Sequence, residues 1–212
     1  MSGKIETLLD QAGTTYAAEA GIKLADKPTA LHRLLVLSVL LSARIKADIA
    51  VAAARELSKF STPRKMYEAR WQERVDALGR GHYVRYDEST ATALGQDAEL
   101  LLERYKGDLR NLRAQAGGDV RKLKRLLTEF PKLGPVGADI FCREAQAVWP
   151  ELRPYFDKKA LDGAAKIGLP KNSHELSESV SGDDLARLAA ACVRVTLEKG
   201  LAEKVKNATS ES

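Results

Sequence analysis

The sequence predicts an all-α protein. Three observations carry that expectation. Apolar residues recur at helical spacing in nearly every segment, caps and breakers fall between those segments, and no stretch alternates with the period of two that a half-buried strand requires. Of the 212 residues, 44% are apolar and 30% charged, a composition able to bury a core. The longest charge-free apolar run, residues 34–43, is too short to span a bilayer, so no membrane partner is expected. Met1-Ser2-Gly3-Lys4-Ile5-Glu6 has no apolar h-region, so no secretory signal is expected. Cys142 and Cys192 are the only cysteines, too few for a disulfide framework or a four-thiolate metal site. The expectation is a reduced, cytoplasmic protein without metal or other cofactor.

Taken in order, Leu31, Leu34, Leu35, Val36, Leu37, Val39, Leu40 and Leu41 make a helix apolar on all sides, hence buried, with Pro28 in its first turn. An alanine-rich helix follows over residues 46–60. Thr62-Pro63 reads as an N-cap and first-turn proline opening a helix over Met66, Tyr67 and Ala69. Gly79-Arg80-Gly81-His82-Tyr83 reads as a loop, and a long helix as residues 89–105. Gly107 and Gly117-Gly118 bracket a looser, Arg-containing segment. Asp119 caps a helix whose Val120, Leu123, Leu126, Leu127 and Phe130 form one stripe, with Arg121, Lys122, Lys124 and Arg125 opposite. Pro131-Lys132-Leu133-Gly134-Pro135 is a tight turn into a helix over 136–149. After a break at 150–154, a short helix follows, with Asp157 placed to cap it ahead of Lys158, Lys159 and Ala160. The last sizeable helix carries Leu185, Leu188, Ala189, Cys192 and Val195, capped by Ser181 or Asp183, and the tail from Ala208 is expected to fray.

Net charge is +5, and its distribution is uneven. Residues 31–130 carry 19 basic and 13 acidic groups, a local +6, while the stretches on either side stay within one unit of neutrality. A basic centre between near-neutral ends points to a polyanion. Solvated Lys/Arg surface is the competing reading.

Residues 126–157, LLTEFPKLGPVGADIFCREAQAVWPELRPYFD, combine an apolar helix, a Pro/Gly turn, a second helix, a bend and a single Asp. This resembles the helix-hairpin-helix and following Asp loop of the endonuclease III-like DNA glycosylase superfamily. Phe130-Pro131-Lys132-Leu133-Gly134-Pro135-Val136-Gly137-Ala138-Asp139 stands for the hairpin and Asp157 for the later Asp. Leu40-Leu41-Ser42-Ala43-Arg44 is similar to that family's Leu-Leu-Ser-Ala-Gln segment, and Leu78-Gly79-Arg80-Gly81-His82-Tyr83 falls where it carries an intercalating loop. The resemblance covers roughly residues 25–170.

It implies two helical lobes with a cleft between them, one from residues 24–150 and one from 1–23 with 151–212. It further implies a monomeric, nucleoid-associated enzyme of base excision repair that acts on double-stranded DNA with damaged or mispaired bases. In that reading Asp157 stabilises the sugar cation that develops as the flipped base leaves, and orients water. Lys132, Leu133, Gly134, Val136 and Gly137 form the hairpin that grips the backbone, with exposed N–H groups and a helix dipole favouring phosphate. Gly134 and Gly137 would let that phosphate come close. Arg44 takes the void-filling position, His82 the wedge, Tyr83 stacks beside it, and Arg85 contacts phosphate.

Departures from the family pattern shape the expectation. Val136 occupies the position of the nucleophilic Lys of bifunctional members (Asp139 in the alternative register), so a monofunctional glycosylase without lyase chemistry is expected. Asp139 reads as a helix-first-turn carboxylate. With Cys192 on an apolar stripe, no iron–sulfur cluster is expected. Lys132 replaces the first hairpin glycine. A non-catalytic DNA-binding relative is the alternative, and a helical interaction protein without a nucleic-acid role the second.

Overall fold

The computed structural model describes residues 3–208, with no strand among them. The chain forms two compact units. One is Ala17–Phe141, and the other joins the residues up to Tyr16 to the chain from Cys142 onward. The resemblance places the limits of the central lobe at 24 and 150 instead.

The chain opens with α1 (Gly3–Ala12), which buries Ile5, Leu8, Leu9 and Ala12, and the single turn α2 (Tyr16–Glu19). Helix α3 (Pro28–Ser42) starts on Pro28, whose missing N–H the first turn does not need. Nearly every residue from Leu31 to Leu40 is buried, and the hydroxyl of buried Ser38 donates to the Leu34 carbonyl at 2.8 Å. Alanine-rich α4 (Ala47–Glu56) lies against α3 and tightens into a 3-10 turn, Leu57–Phe60, where the sequence predicts a single helix. Thr62 caps α5 (Pro63–Glu68), accepting from the Lys65 amide at 3.2 Å.

Two sequence expectations fail in this unit. Gly79 and Arg80 belong to a helix, α6 (Trp71–Arg80), and the chain leaves it only at Gly81. Gly79 meets no neighbouring atoms, so it costs helix propensity without breaking the helix. After α7 (Asp87–Tyr105), the segment expected to be loose is helix α8 (Leu109–Ala116). Asp108 caps it by accepting from the Arg110 amide at 2.9 Å, left-handed Gly117 ends it, and Leu109 and Leu112 are buried. The glycines there stop a helix instead of bracketing a loop.

Helix α9 (Val120–Leu127) is capped as expected, Asp119 accepting from the amides of Arg121 and Lys122 at 2.8 and 3.1 Å. Helix α10 (Gly134–Ala145) begins two residues earlier and ends four earlier than expected, and a 3-10 turn follows at Pro150–Leu152. The last helices are α11 (Lys158–Lys166), α12 (Ser173–Ser177), α13 (Asp184–Leu197) and α14 (Leu201–Ala208). Asp183 takes the cap position of α13 without a side-chain cap bond. Helix α14 is not among the sequence expectations, and residues 209–212 of the expected frayed tail lie outside the described residues. Helices α11 and α13 approach closely at Gly163, where an added Cβ would lie 1.8 Å from the Cys192 carbonyl oxygen.

Among the described residues, no helix is long and apolar enough to cross a membrane.

Candidate nucleic-acid interface

Three segments far apart in sequence meet in the central unit. They are the end of α3 with Ala43 and Arg44, the connection from α6 to α7, and the turn from α9 to α10. Between them lies a pocket of about 350 Å³ lined by Val39, Ser42, Ala43, Arg44, Tyr83, Tyr86, Thr90 and Lys132. Its charged lining is wholly cationic. The resemblance rests on these three segments and on the Asp157 loop of the other unit, and Arg44, Tyr83 and Lys132 of the expected site line this one pocket.

The turn explains its residues. Lys132 adopts a left-handed backbone, φ 60°, the conformation that a glycine at this position accepts without strain. Its carbonyl accepts from Ser42 Oγ at 3.2 Å, tying the turn to the end of α3. Its ammonium bonds the hydroxyls of Ser89 and Thr90 and stands 5.7 Å from the centre of the Tyr86 ring. Partial burial holds the Lys132 ammonium below the ordinary lysine range. No carboxylate among the described residues pairs with it.

Leu133 is buried, and its carbonyl accepts from the Gly137 amide at 2.9 Å, closing the first turn of α10. Because Pro135 has no N–H, that turn offers an anion only the Gly134 and Val136 amides. Val136 is 61% exposed and Gly134, at φ 57°, has no neighbour crowding its Cα. Gly137 differs from expectation. It is buried, and an added Cβ would meet Leu133 Cδ1 at 2.8 Å and Ser42 Cβ at 3.4 Å. A Cβ at 137 would press first on the Leu133 side chain, so packing inside the turn favours glycine there. Asp139 is paired with Lys124 of α9 at 2.6 Å, which neutralises one of the four basic residues expected to face solvent on that helix.

The α6–α7 connection divides its side chains. His82 is exposed with a left-handed φ of 62°, a conformation that costs a non-glycine residue about 1–2 kcal/mol. Val84 and Arg85 are also exposed. Tyr83 corrects the sequence expectation: it is 1% exposed, so its ring forms the pocket wall and is not presented for stacking. Its side chain bonds that of Thr90, and burial raises its phenol. Gly81 sets the position of this connection. A Cβ there would fall 2.4 Å from Ala53 Cα of α4.

Arg44 is exposed, and among the described residues it makes no hydrogen bond or ion pair. Arg85 lies over the Tyr86 ring at 5.2 Å. Sequence reasoning missed Tyr86, Ser89 and Thr90. No pattern in the sequence marks them, because they join the site only through the fold.

Asp157 belongs to the other unit and has a different setting. One carboxylate oxygen caps α11, accepting from the Ala160 amide at 3.1 Å, and the other accepts from Arg143 Nη1 at 3.0 Å. Arg143 is nearly fully buried, and its Nε has no hydrogen-bond partner. Neighbouring bonds hold the Asp157 loop. The Gln146 side chain donates to the Tyr155 carbonyl at 2.8 Å and accepts from the Tyr155 amide at 3.0 Å. Arg153 reaches back to the carbonyls of Gln146 and Ala147 at 2.6 and 2.7 Å. No sequence pattern singled out Arg143 or Gln146.

No protein-family model and no curated protein matches this chain.

The two cysteines form no disulfide. Both are buried, and burial pushes the Cys192 thiol up to about 12. Among the described residues, no group of three His, Cys, Asp or Glu side chains is placed to hold a metal ion.

Proposed function

We propose that this protein binds double-stranded DNA through the face formed by the α9–α10 turn, Arg44 and the His82–Arg85 connection. We further propose that it acts as a monofunctional DNA N-glycosylase with Asp157 as its carboxylate. The observation that carries the reading is the convergence of three sequence-remote segments on one pocket whose charged lining is wholly cationic. In this reading the two units correspond to the two lobes of an endonuclease III-like glycosylase.

The chemistry follows from the reaction. Breaking the N-glycosidic bond leaves positive charge on the sugar, and a fixed carboxylate stabilises it. Each Asp157 oxygen spends one lone pair on the protein and retains another for a water. Val136 carries no amine at the position where bifunctional relatives use lysine, so water is the nucleophile. In this reading Arg44 fills the space left by the extruded base, exposed His82 is the wedge, and Arg85 and Lys132 contact phosphate.

One observation favours the second reading, a DNA binder without turnover. Arg143 already neutralises Asp157, which reduces the field available to a sugar cation.

The test is mass spectrometry of free bases released from duplex DNA carrying mixed alkylation, deamination and oxidation damage. Wild type is compared with Asp157→Asn and with the Asp157→Asn/Arg143→Met double variant, with DNA binding followed across salt. A base released only by the wild type supports the glycosylase. Salt-sensitive binding with no base released by a folded wild type supports the binder. Binding that does not change with salt refutes both.

A further inference from the structure

The pocket in the central unit has an unbalanced inventory. Its charged lining residues are Arg44 and Lys132, and no carboxylate lines it. Asp87 and Glu88 follow Tyr86 directly in the chain, yet neither lines the pocket. Arg44 spends none of its five N–H donors among the described residues. Lys132 spends two of its three on Ser89 and Thr90. These are therefore two unpaired cations beside a cluster of hydroxyls, one of them partly desolvated. Elsewhere in this unit Arg80, Arg104, Arg113 and Lys124 pair with Glu56, Glu129, Asp26 and Asp139, whereas the pocket supplies Arg44 and Lys132 with no carboxylate.

From this juxtaposition of Arg44, Lys132 and the Thr90 hydroxyl in one pocket, we infer a binding site for a phosphomonoester. The charge argument separates monoester from diester. An internal DNA phosphate carries one negative charge, whereas a terminal phosphate carries close to two at neutral pH, with three acceptor oxygens. Two unneutralised cations match the second. The guanidinium fork of Arg44 takes two of the oxygens, and the free Lys132 donor the third. At about 350 Å³ the pocket is at the lower end of sites that take drug-sized ligands, so the sugar of a nucleotide also has room.

The phosphomonoester is either the end of a DNA strand or a free mononucleotide. The first source rests on the DNA-binding reading, and the second does not.

The experiment measures dissociation constants of the full chain for three probes: a nicked duplex with a terminal phosphate at the nick, the same duplex without that phosphate, and a free nucleoside monophosphate. Wild type is compared with Arg44→Gln, with Lys132→Gln and with a surface control, Lys106→Gln, all checked for folding. The site predicts that wild type prefers the phosphorylated nick by about tenfold, or that it binds the mononucleotide. That preference is lost in both pocket variants and kept in the control. Preference at the nick assigns the site to DNA ends. Saturable, pocket-dependent binding of the mononucleotide with no duplex binding keeps the site and overturns the DNA reading. Equal affinity for both duplexes together with no mononucleotide binding overturns the site, whatever the duplex affinity itself. A preference that survives in both pocket variants also overturns it.

Discussion

Replacing Asp157 with Asn is the obvious test of catalysis, and the structure predicts that it also costs stability. Asn still accepts from the Ala160 amide, so the cap of α11 survives. What disappears is the negative partner of Arg143, whose side chain is 3% exposed and whose Nε already has no partner. Breaking a buried pair by removing one member costs about 3–5 kcal/mol, because it strands the other charge. The Asp157 side chain is 10% exposed, so water can reach the site, and the lower end of about 3 kcal/mol is expected. For a chain of this size that lowers Tm by on the order of 10 °C. Adding Arg143→Met removes the stranded charge at similar volume and should return at least half of the loss, about 1.5 kcal/mol or more. Urea unfolding followed by far-UV circular dichroism measures the full cycle. A midpoint for Asp157→Asn equal to the wild type, or a double variant no more stable than that single one, refutes the buried-pair argument. An inactive but stable double variant would then place the loss of activity on the carboxylate itself, not on unfolding.

Buried His32, whose Nδ1 donates to the Ser61 carbonyl at 3.0 Å, is pushed down to about 4 by burial, so it folds neutral. Its stability is fully present above the unfolded value of about 6.5 and is lost as pH falls toward 4, by about 3 kcal/mol in all. Relative to wild type, His32→Gln should gain stability as pH falls from 7 to 4.5, read from urea midpoints. Asp97 is the opposite case. It is 4% exposed, neither carboxyl oxygen has a partner, and burial raises it well above the usual carboxylate range. It therefore favours folding below about pH 4 and loses up to about 1.4 kcal/mol per unit as pH rises toward its folded value. Relative to wild type, Asp97→Asn should gain stability as pH rises, and a pH-independent difference would contradict this. Because the two slopes oppose each other between pH 4 and 6.5, wild type should vary less there than either variant. Finally, Gly81→Ala forces a Cβ to 2.4 Å from Ala53 Cα and should cost about 1–3 kcal/mol. It should also weaken DNA binding by displacing His82 and Arg85, and wild-type affinity in a folded variant would show that this connection is not part of the interface.

How much is legible in the sequence can be argued residue by residue. The all-α class and the buried α3 are readable, since a run apolar on every side has one physical solution. The caps at Thr62, Asp119 and Asp157 are readable as well, because a short polar side chain before an apolar run satisfies the first amides of a helix. Two of the errors come from glycine. Gly79 reads as a breaker, yet it sits inside α6, while Gly117 is a breaker that ends a helix missed for want of a long stripe. A glycine's role depends on what its missing Cβ would meet, and that is a tertiary fact. Gly81 shows it most plainly: its need for glycine comes from the backbone of Ala53, twenty-eight residues earlier in sequence. The inward turn of Tyr83, and Arg143 as the partner of Asp157, lie beyond sequence for the same reason.

The same limit applies to charge, and there the structure redirects the argument. Counting places a net +6 over residues 31–130 and draws attention to Arg121, Lys122, Lys124 and Arg125, the densest basic cluster. Density is a poor guide to what an anion feels, because a cation already held by a carboxylate contributes little field at a distance. Lys124 is held by Asp139, and Asp119 lies at the N-terminus of the same helix, bonded to the amides of Arg121 and Lys122. Arg44 and Lys132 stand far apart in sequence and form no run, yet they share one pocket with no carboxylate in its lining. Neutralising these two residues should therefore lower the salt dependence of DNA binding more than neutralising Lys124 together with one other residue of α9. The expected drop is close to one unit of log–log slope for each phosphate that no longer meets a cation.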